Sequence, residues 1–189
     1  MSATAVQLIN GIDTDALRGV IREVAQDSSK GQTHWQVTTE WKGGTRSDTQ
    51  VDQCNIGGQT VHKKFNISVD EPLELGGTNQ FANPQEILMA GLNSCMAVGY
   101  VVGCAMHGIV LESLRIETEG DIDLRGFLGL DPNVVPGYEE LRYQVFIKGQ
   151  GTPEQFQQVH ETVMKSSPNR FNLATAIPLK AKLVVEQGR

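Results

Sequence analysis

Residues 83–108 read NPQEILMAGLNSCMAVGYVVGCAMHG, a stretch whose only formally charged side chain is Glu86. Asn83 is suited to cap a helix, Pro84 to occupy its first turn and Gly108 to stop it. The pattern predicts one continuous helix. Because it is apolar around most of its circumference, other elements must wrap it, which makes it the centre of the fold with Cys95 at its middle. The run 87–102 approaches membrane-spanning length, but Asn93, Ser94 and several glycines interrupt it and amphipathic strands elsewhere can enclose it. A buried helix of a soluble domain is expected.

Upstream, DEPLELGGTNQFA (70–82) reads as an irregular loop because of Pro72, Gly76 and Gly77. Before it, Trp35, Val37, Thr39 and Trp41 alternate with polar residues up to Gly43-Gly44. Val61, Phe65, Ile67 and Val69 alternate after Gly57-Gly58, and with 45–51 between them these segments predict a three-strand meander. Leu17, Val20, Ile21 and Val24 recur at helical spacing and the polar run 27–31 ends them, giving an amphipathic helix in an N-terminal extension, residues 1–31. Downstream, Leu114, Ile116 and 122–124 predict a long strand, and 141–147 a second one across the loop RGFLGLDPNVVPG. Thr152 and Gln155 match a capping box around Pro153, opening a helix through Phe156, Val159, His160 and Val163 to about Ser166. Residues 179–185 alternate again as a last strand. The order α-βββ-α-ββ-α-β predicts an α+β fold with a mostly antiparallel sheet, as a single domain over residues 1–189.

The 189 residues, 39% hydrophobic and 20% charged, can bury a real core. A formal charge of -6 without any Lys/Arg run argues against a broad nucleic-acid surface and against anionic membranes. The N-terminal MSATAVQLINGIDTD lacks the basic and apolar regions of a targeting peptide, so a cytoplasmic location is expected. Cys54, Cys95 and Cys104 are odd in number, so at least one thiol is free, and a cytosolic setting keeps all three reduced.

The phrase LGGTNQFANPQEILMAGLNSC (75–95), its glycine-rich continuation and DIDLRGFLGLD (121–131) resemble the OsmC/Ohr family, named for osmotic induction and organic hydroperoxide resistance. The resemblance runs from about Trp35 to the C-terminus and leaves the first helix outside. It implies the OsmC-like fold, an intertwined homodimer whose sheets wrap long central helices, with active sites at the subunit interface. In the family's peroxidase members a helix cysteine attacks a lipophilic hydroperoxide and a second cysteine resolves the sulfenic acid.

Cys95 matches the attacking cysteine, and that chemistry requires its thiolate. A small buried hydrophobe is the usual state of a free cysteine, and only the resemblance favours the reactive reading. Arg46, in GGTRSD, resembles the family arginine that follows a glycine turn and points at the sulfur, where it would lower the thiol pKa and orient a peroxide oxygen. The competing reading is an exposed hairpin charge. Arg18 and Arg125 are rival cations, and RGFLG, with Arg125 and Phe127, could fold over an apolar pocket.

Two positions depart from the family pattern. The glutamate ten residues before the attacking cysteine is here Gln85. At about 100° per residue, Glu86 lies half a turn away from Cys95, so it is a poor substitute and reads more simply as a favourable helix N-terminal charge. Near the C-terminal helix, KSSPNRF places Ser167 where the family commonly has a cysteine before proline. Serine forms no disulfide, so a small thiol or another protein would have to resolve Cys95. Cys104, nine residues on, points to roughly the opposite side and reads as core, while Cys54 cannot be placed. Cys104 and His107 could share a helix face, but two ligands do not make a metal site, and no metal is expected.

The sequence therefore leads to a thiol-dependent reductase of organic hydroperoxides, acting through Cys95 with Arg46, without the second cysteine and without a cofactor. It would use an external thiol reductant and work as a homodimer on a small lipophilic hydroperoxide, with Gln85, Glu86, Ser167, Arg125 and Phe127 around the site. The alternative is a redox-inactive relative binding a small lipophilic ligand at the dimer interface. A third reading makes Cys95 inert core in an interaction protein.

Overall fold

In the computed structural model, which describes residues 8–186, the chain opens with a hairpin of β1 (Leu8–Ile9) and β2 (Ile12–Asp13). Residues 1–7, part of the stretch inspected for a targeting signal, and residues 187–189 of the expected single domain lie outside the described residues. The hairpin turn is Asn10-Gly11, both with positive φ (53° and 78°), the conformation that an Asn-Gly pair adopts most readily. Asp13 then accepts from the N–H groups of Asp15 and Ala16 and caps α1 (Thr14–Gln26), the amphipathic helix predicted from its periodicity.

The predicted meander is present but has four strands, β3 (Thr33–Trp35), β4 (Thr38–Trp41), β5 (Ser47–Ile56) and β6 (Gln59–Val69). β6 runs antiparallel along one edge of β5, while β3 and β4 follow each other along its opposite edge. The break that divides the expected first strand has a local cause. β5 carries a register shift between Val51 and Gln53, and its partners change there from Thr38 opposite Gln50 to Trp35 opposite Cys54. β3 and β4 pair with β5 in registers that differ by one residue, so the expected first strand divides at this slip, while β6 follows β5 through it.

The loop 70–82 leads into α2 (Pro84–Met106), 23 residues long, with Asn83 and Glu86 forming a capping box at its start. Leu92, Met96, Tyr100 and Cys104 recur every four residues as its inward stripe and form the core with Ile109, Val159 and Val163. This stripe packs on a hairpin of β7 (Leu111–Glu119) and a strand that returns beside it, and α2 alone among the described helices is long and apolar enough to cross a membrane. Its reverse face is open, with Val98 64% exposed.

The second predicted hairpin needs correction at its loop end. The strand expected to reach 122–124 stops at Glu119, because the Asp123 carboxylate accepts from the Arg125 N–H (2.9 Å) and caps the short helix α3 (Leu124–Phe127). β8 (Arg142–Gly149) returns antiparallel, with Leu114 opposite Ile147 and Ile116 opposite Val145. The Thr152/Gln155 capping box opens α4 (Pro153–Ser166) as predicted, and α5 (Pro168–Ala174), not anticipated, follows after Ser167. Gly99 and Gly103 of α2 face α4. A Cβ at Gly103 would come within 2.9 Å of Val159 Cγ1 and one at Gly99 within 3.1 Å of Val163 Cγ2, so these glycines permit the close approach of the two helices.

The final strand expected at 179–185 joins no ladder among the described residues, and Leu179 and Leu183 are 89% and 86% exposed. The alternation is present in the sequence, but a strand also needs a partner, and among the described residues this segment pairs with none.

Candidate functional site

Cys95 lies three residues after Leu92 and one before Met96, at the border of the buried stripe, and it is partly exposed. Its neighbour is Ser167, whose hydroxyl donates to Cys95 Sγ at 3.4 Å from the junction of α4 and α5. Ser167 is itself buried, with its N–H bonded to Val163 O and its carbonyl accepting from the Phe171 N–H, both at 3.0 Å. One turn along α2, Asn169 Nδ2 donates to Gly91 O (2.8 Å) and fixes α5 against the helix. Two sequence candidates 72 positions apart are thus brought together.

From Cys95 toward the start of α2, Leu92, Leu88 and Gln85 line a cavity of about 460 Å³. Its other walls include Leu173 of α5, Leu141 and Tyr143 of the β8 side, and Tyr138, Glu139 and Glu140 of the loop before it. Arg170 borders it, donating from Nε to Tyr143 Oη (3.2 Å) and from Nη1 to Met164 O (2.8 Å). Neither the cavity nor Arg170 was legible in the sequence, since both depend on α5.

Arg46 is elsewhere. Its guanidinium lies 3.4 Å from Asp48 and 4.8 Å from the centre of the Phe81 ring, its Nε is buried without a partner, and it makes no hydrogen bond to Cys95. Asp48 is held below the usual carboxylate range by the Ser68 hydroxyl first and Arg46 second. The turn that carries Arg46 is fastened by Asp70, 1% exposed, which accepts from Thr45 Oγ1 (2.6 Å) and from the Thr78 N–H (2.9 Å) and Oγ1 (2.5 Å). The hydroxyls of Thr45 and Thr78 hold the Asp70 carboxyl well below its ordinary value. Sequence reasoning missed this latch, because nothing local links Asp70 to Thr45, 25 positions away.

The remaining candidates have other partners. Glu86 accepts from the Asn83 N–H (2.8 Å) in the capping box, the N-terminal role expected of it. Arg125 is engaged by Asp123 through Nη2 at 2.5 Å, which holds that carboxyl down to about 2, and Phe127 is more than half exposed. Arg18 donates to Met106 O (3.4 Å) near the end of α2. All three cysteines are free, Cys54 is buried in the meander and Cys104 is fully enclosed, where burial pushes its thiol up. Among the described residues no group of three or more His, Cys, Asp or Glu could hold a metal ion.

An α+β domain with a free, partly exposed thiol on its central helix and a cavity beside it falls in the class of small cysteine-bearing domains built around one apolar helix. The sequence pattern of a family described as OsmC-like protein matches residues 77–182, more than half of the chain, and the chain belongs to this family. Similar solved structures include an OsmC-like protein from Mycoplasma pneumoniae (15% identity, 74% of this chain and 86% of that one, TM-score 0.58). Another is a putative osmotic stress induced and detoxification response protein from Psychrobacter arcticus (14%, 71% and 84%, TM-score 0.54). A third is an OsmC-like protein of unknown function from Vibrio cholerae (16%, 72% and 91%, TM-score 0.51). At these identities the likeness is one of fold. No curated protein matches the chain.

Proposed function

We propose that the chain is a cytoplasmic, thiol-dependent reductase of lipophilic organic hydroperoxides, with Cys95 as the reacting group. The observation that carries this reading is a partly exposed thiol with a hydroxyl donor at 3.4 Å, one turn from a mostly apolar cavity of about 460 Å³. Cavities of that size and lining suit small apolar ligands held by a few polar groups. The Cys95 thiolate attacks the terminal oxygen of the hydroperoxide, and the O–O bond breaks. Sulfur becomes sulfenic acid, and the alkoxide leaves as the alcohol after taking a proton. Ser167 stands where a resolving thiol would be, so a first external thiol condenses with the sulfenic acid, releasing water and leaving a mixed disulfide. A second external thiol then displaces Cys95 and leaves as the small-molecule disulfide.

The working unit in this proposal is a homodimer. The single chain exposes 14232 Å², against roughly 8900 Å² expected from surface scaling for a folded monomer of 20.6 kDa. The surplus includes Trp35, Val37, Trp41 and Phe65 of the meander, Val98 of α2 and the 179–185 segment, apolar surface of the kind that obligate dimers bury. Arg46 then acts on the partner subunit's thiol. In its own chain it stacks on Phe81 and pairs with Asp48, and makes no hydrogen bond to Cys95.

The test is consumption of cumene hydroperoxide with dithiothreitol as reductant, with trapping of the sulfenic acid by dimedone. Turnover and a dimedone adduct on Cys95, both lost in Cys95→Ser, are expected. An unreactive wild-type Cys95 across several hydroperoxides and thiols would defeat the reading. Because the cavity is lined without any cysteine, simple binding of a lipophile is the rival. A co-purifying lipophile that persists in Cys95→Ser, seen by native mass spectrometry without turnover, would favour it.

A further inference from the structure

We infer that Ser167 is a positioning residue for Cys95, its hydroxyl supplying the hydrogen bond that favours the thiolate over the thiol. The inference rests on the reading of Cys95 as the reacting group, but it concerns the acid–base state of that group rather than its substrate. Ser167 is 6% exposed, and its backbone is occupied on both sides by Val163 and Phe171. The one hydrogen-bond partner of its Oγ is Cys95 Sγ, and the serine is the donor. Pro168 follows, so the next residue contributes no N–H to compete, and Asn169 pins the junction to Gly91.

A neutral thiol is a weak acceptor, so in the thiol form this buried O–H is poorly satisfied. A thiolate accepts a charge-assisted bond of about twice the strength. The bond therefore gains in strength when the sulfur carries the charge.

Of the other charged and titratable groups on the elements packed against α2, Lys165 of α4 is exposed to solvent and the nearer ones are engaged elsewhere. Arg170 of α5 donates to Tyr143 and Met164, His160 of α4 pairs with Tyr100 (2.5 Å), Arg115 of β7 pairs with Glu117, and Glu86 of α2 closes its capping box. Within the chain, Ser167 is thus the one donor to this sulfur among the described residues.

The experiment measures alkylation of Cys95 by iodoacetamide against pH, resolved by peptide mass spectrometry in the otherwise unaltered full chain. Ser167→Ala is expected to raise the midpoint by about one pH unit, slowing alkylation roughly tenfold below it while leaving the high-pH plateau unchanged. Ser167→Thr, which keeps the hydroxyl, is expected to restore the wild-type midpoint. An unshifted midpoint in Ser167→Ala, or a slowing by the same factor at every pH, would overturn the inference. Ser167→Cys tests the geometry separately, since with Oγ at 3.4 Å from Cys95 Sγ a sulfur in its place can bridge after modest adjustment. Mild oxidation of that variant is expected to join the introduced thiol to Cys95 in a disulfide, and its absence in the folded variant would refute the proximity. A Ser167-dependent midpoint without hydroperoxide turnover would leave this inference standing and remove the catalytic one.

Discussion

Cys95 and Cys104 sit nine residues apart on one helix and differ in every respect that governs sulfur chemistry. Cys104 is sealed in the core with burial pushing its thiol up, whereas Cys95 is reachable and receives an O–H. Asp70 is the comparable case among the carboxylates. It is buried, accepts three hydrogen bonds and has a folded-state pKa lowered below that of the unfolded chain. For a lowered carboxyl, the stability it contributes is present above the unfolded pKa, near 3.9, and is lost as pH falls toward the folded value. The wild-type melting temperature is therefore expected to drop below about pH 4 more steeply than that of Asp70→Asn, with the variant less stable at pH 7. Equal pH slopes by calorimetry would remove Asp70 as the latch. The same variant should also loosen the turn carrying Arg46 and lower turnover.

At the scale of elements, α2 shows how the local sequence prepares for packing. An interior glycine costs a helix about 0.5–1 kcal/mol relative to alanine, so Gly99 and Gly103 need a compensating gain. They obtain it from α4, whose Val159 and Val163 occupy the space a methyl would take. Gly103→Ala is expected to destabilise by about 1–3 kcal/mol, overpacking outweighing helix propensity, as read from urea midpoints at constant slope. α1, α2 and its caps, α4 with its capping box and the β5–β6 pairing were legible because each is written in local spacing or in cap residues. What escaped was decided at a distance. The register slip along β5 divided β3 from β4, the Asp123 carboxylate capped α3 beyond β7, and α5 begins at a proline with little periodicity behind it. The site followed the same rule. Cys95 and Ser167 could be marked individually, but their contact spans 72 positions, and only tertiary packing brings them together.

The whole molecule is two partly separate bodies of apolar surface. The meander leaves Trp35, Trp41 and Phe65 uncovered, and the helical half leaves the reverse face of α2 uncovered. In the homodimer proposed above, a second copy of the chain would answer both needs, with one chain's meander over the other's α2. On this arrangement Arg46 and Cys95 of a working site come from different subunits, and that can be tested by complementation. Cys95→Ser and Arg46→Ala homodimers should each lose most activity. A mixed dimer of the two holds one intact site, with Arg46 of the first chain beside Cys95 of the second, and should recover about half of the wild-type rate. No recovery would place both residues in one chain.

The solitary segment near the C-terminus carries this further. In the proposed homodimer, a strand that found its ladder on the other copy would tie the subunits together by threading rather than by surface contact alone. Partner exchange between preformed dimers then requires each to come partly undone, so it proceeds on the timescale of unfolding. Mixed dimers should accordingly form when the two chains are co-expressed or refolded together, and hardly at all when finished homodimers are stirred into one tube.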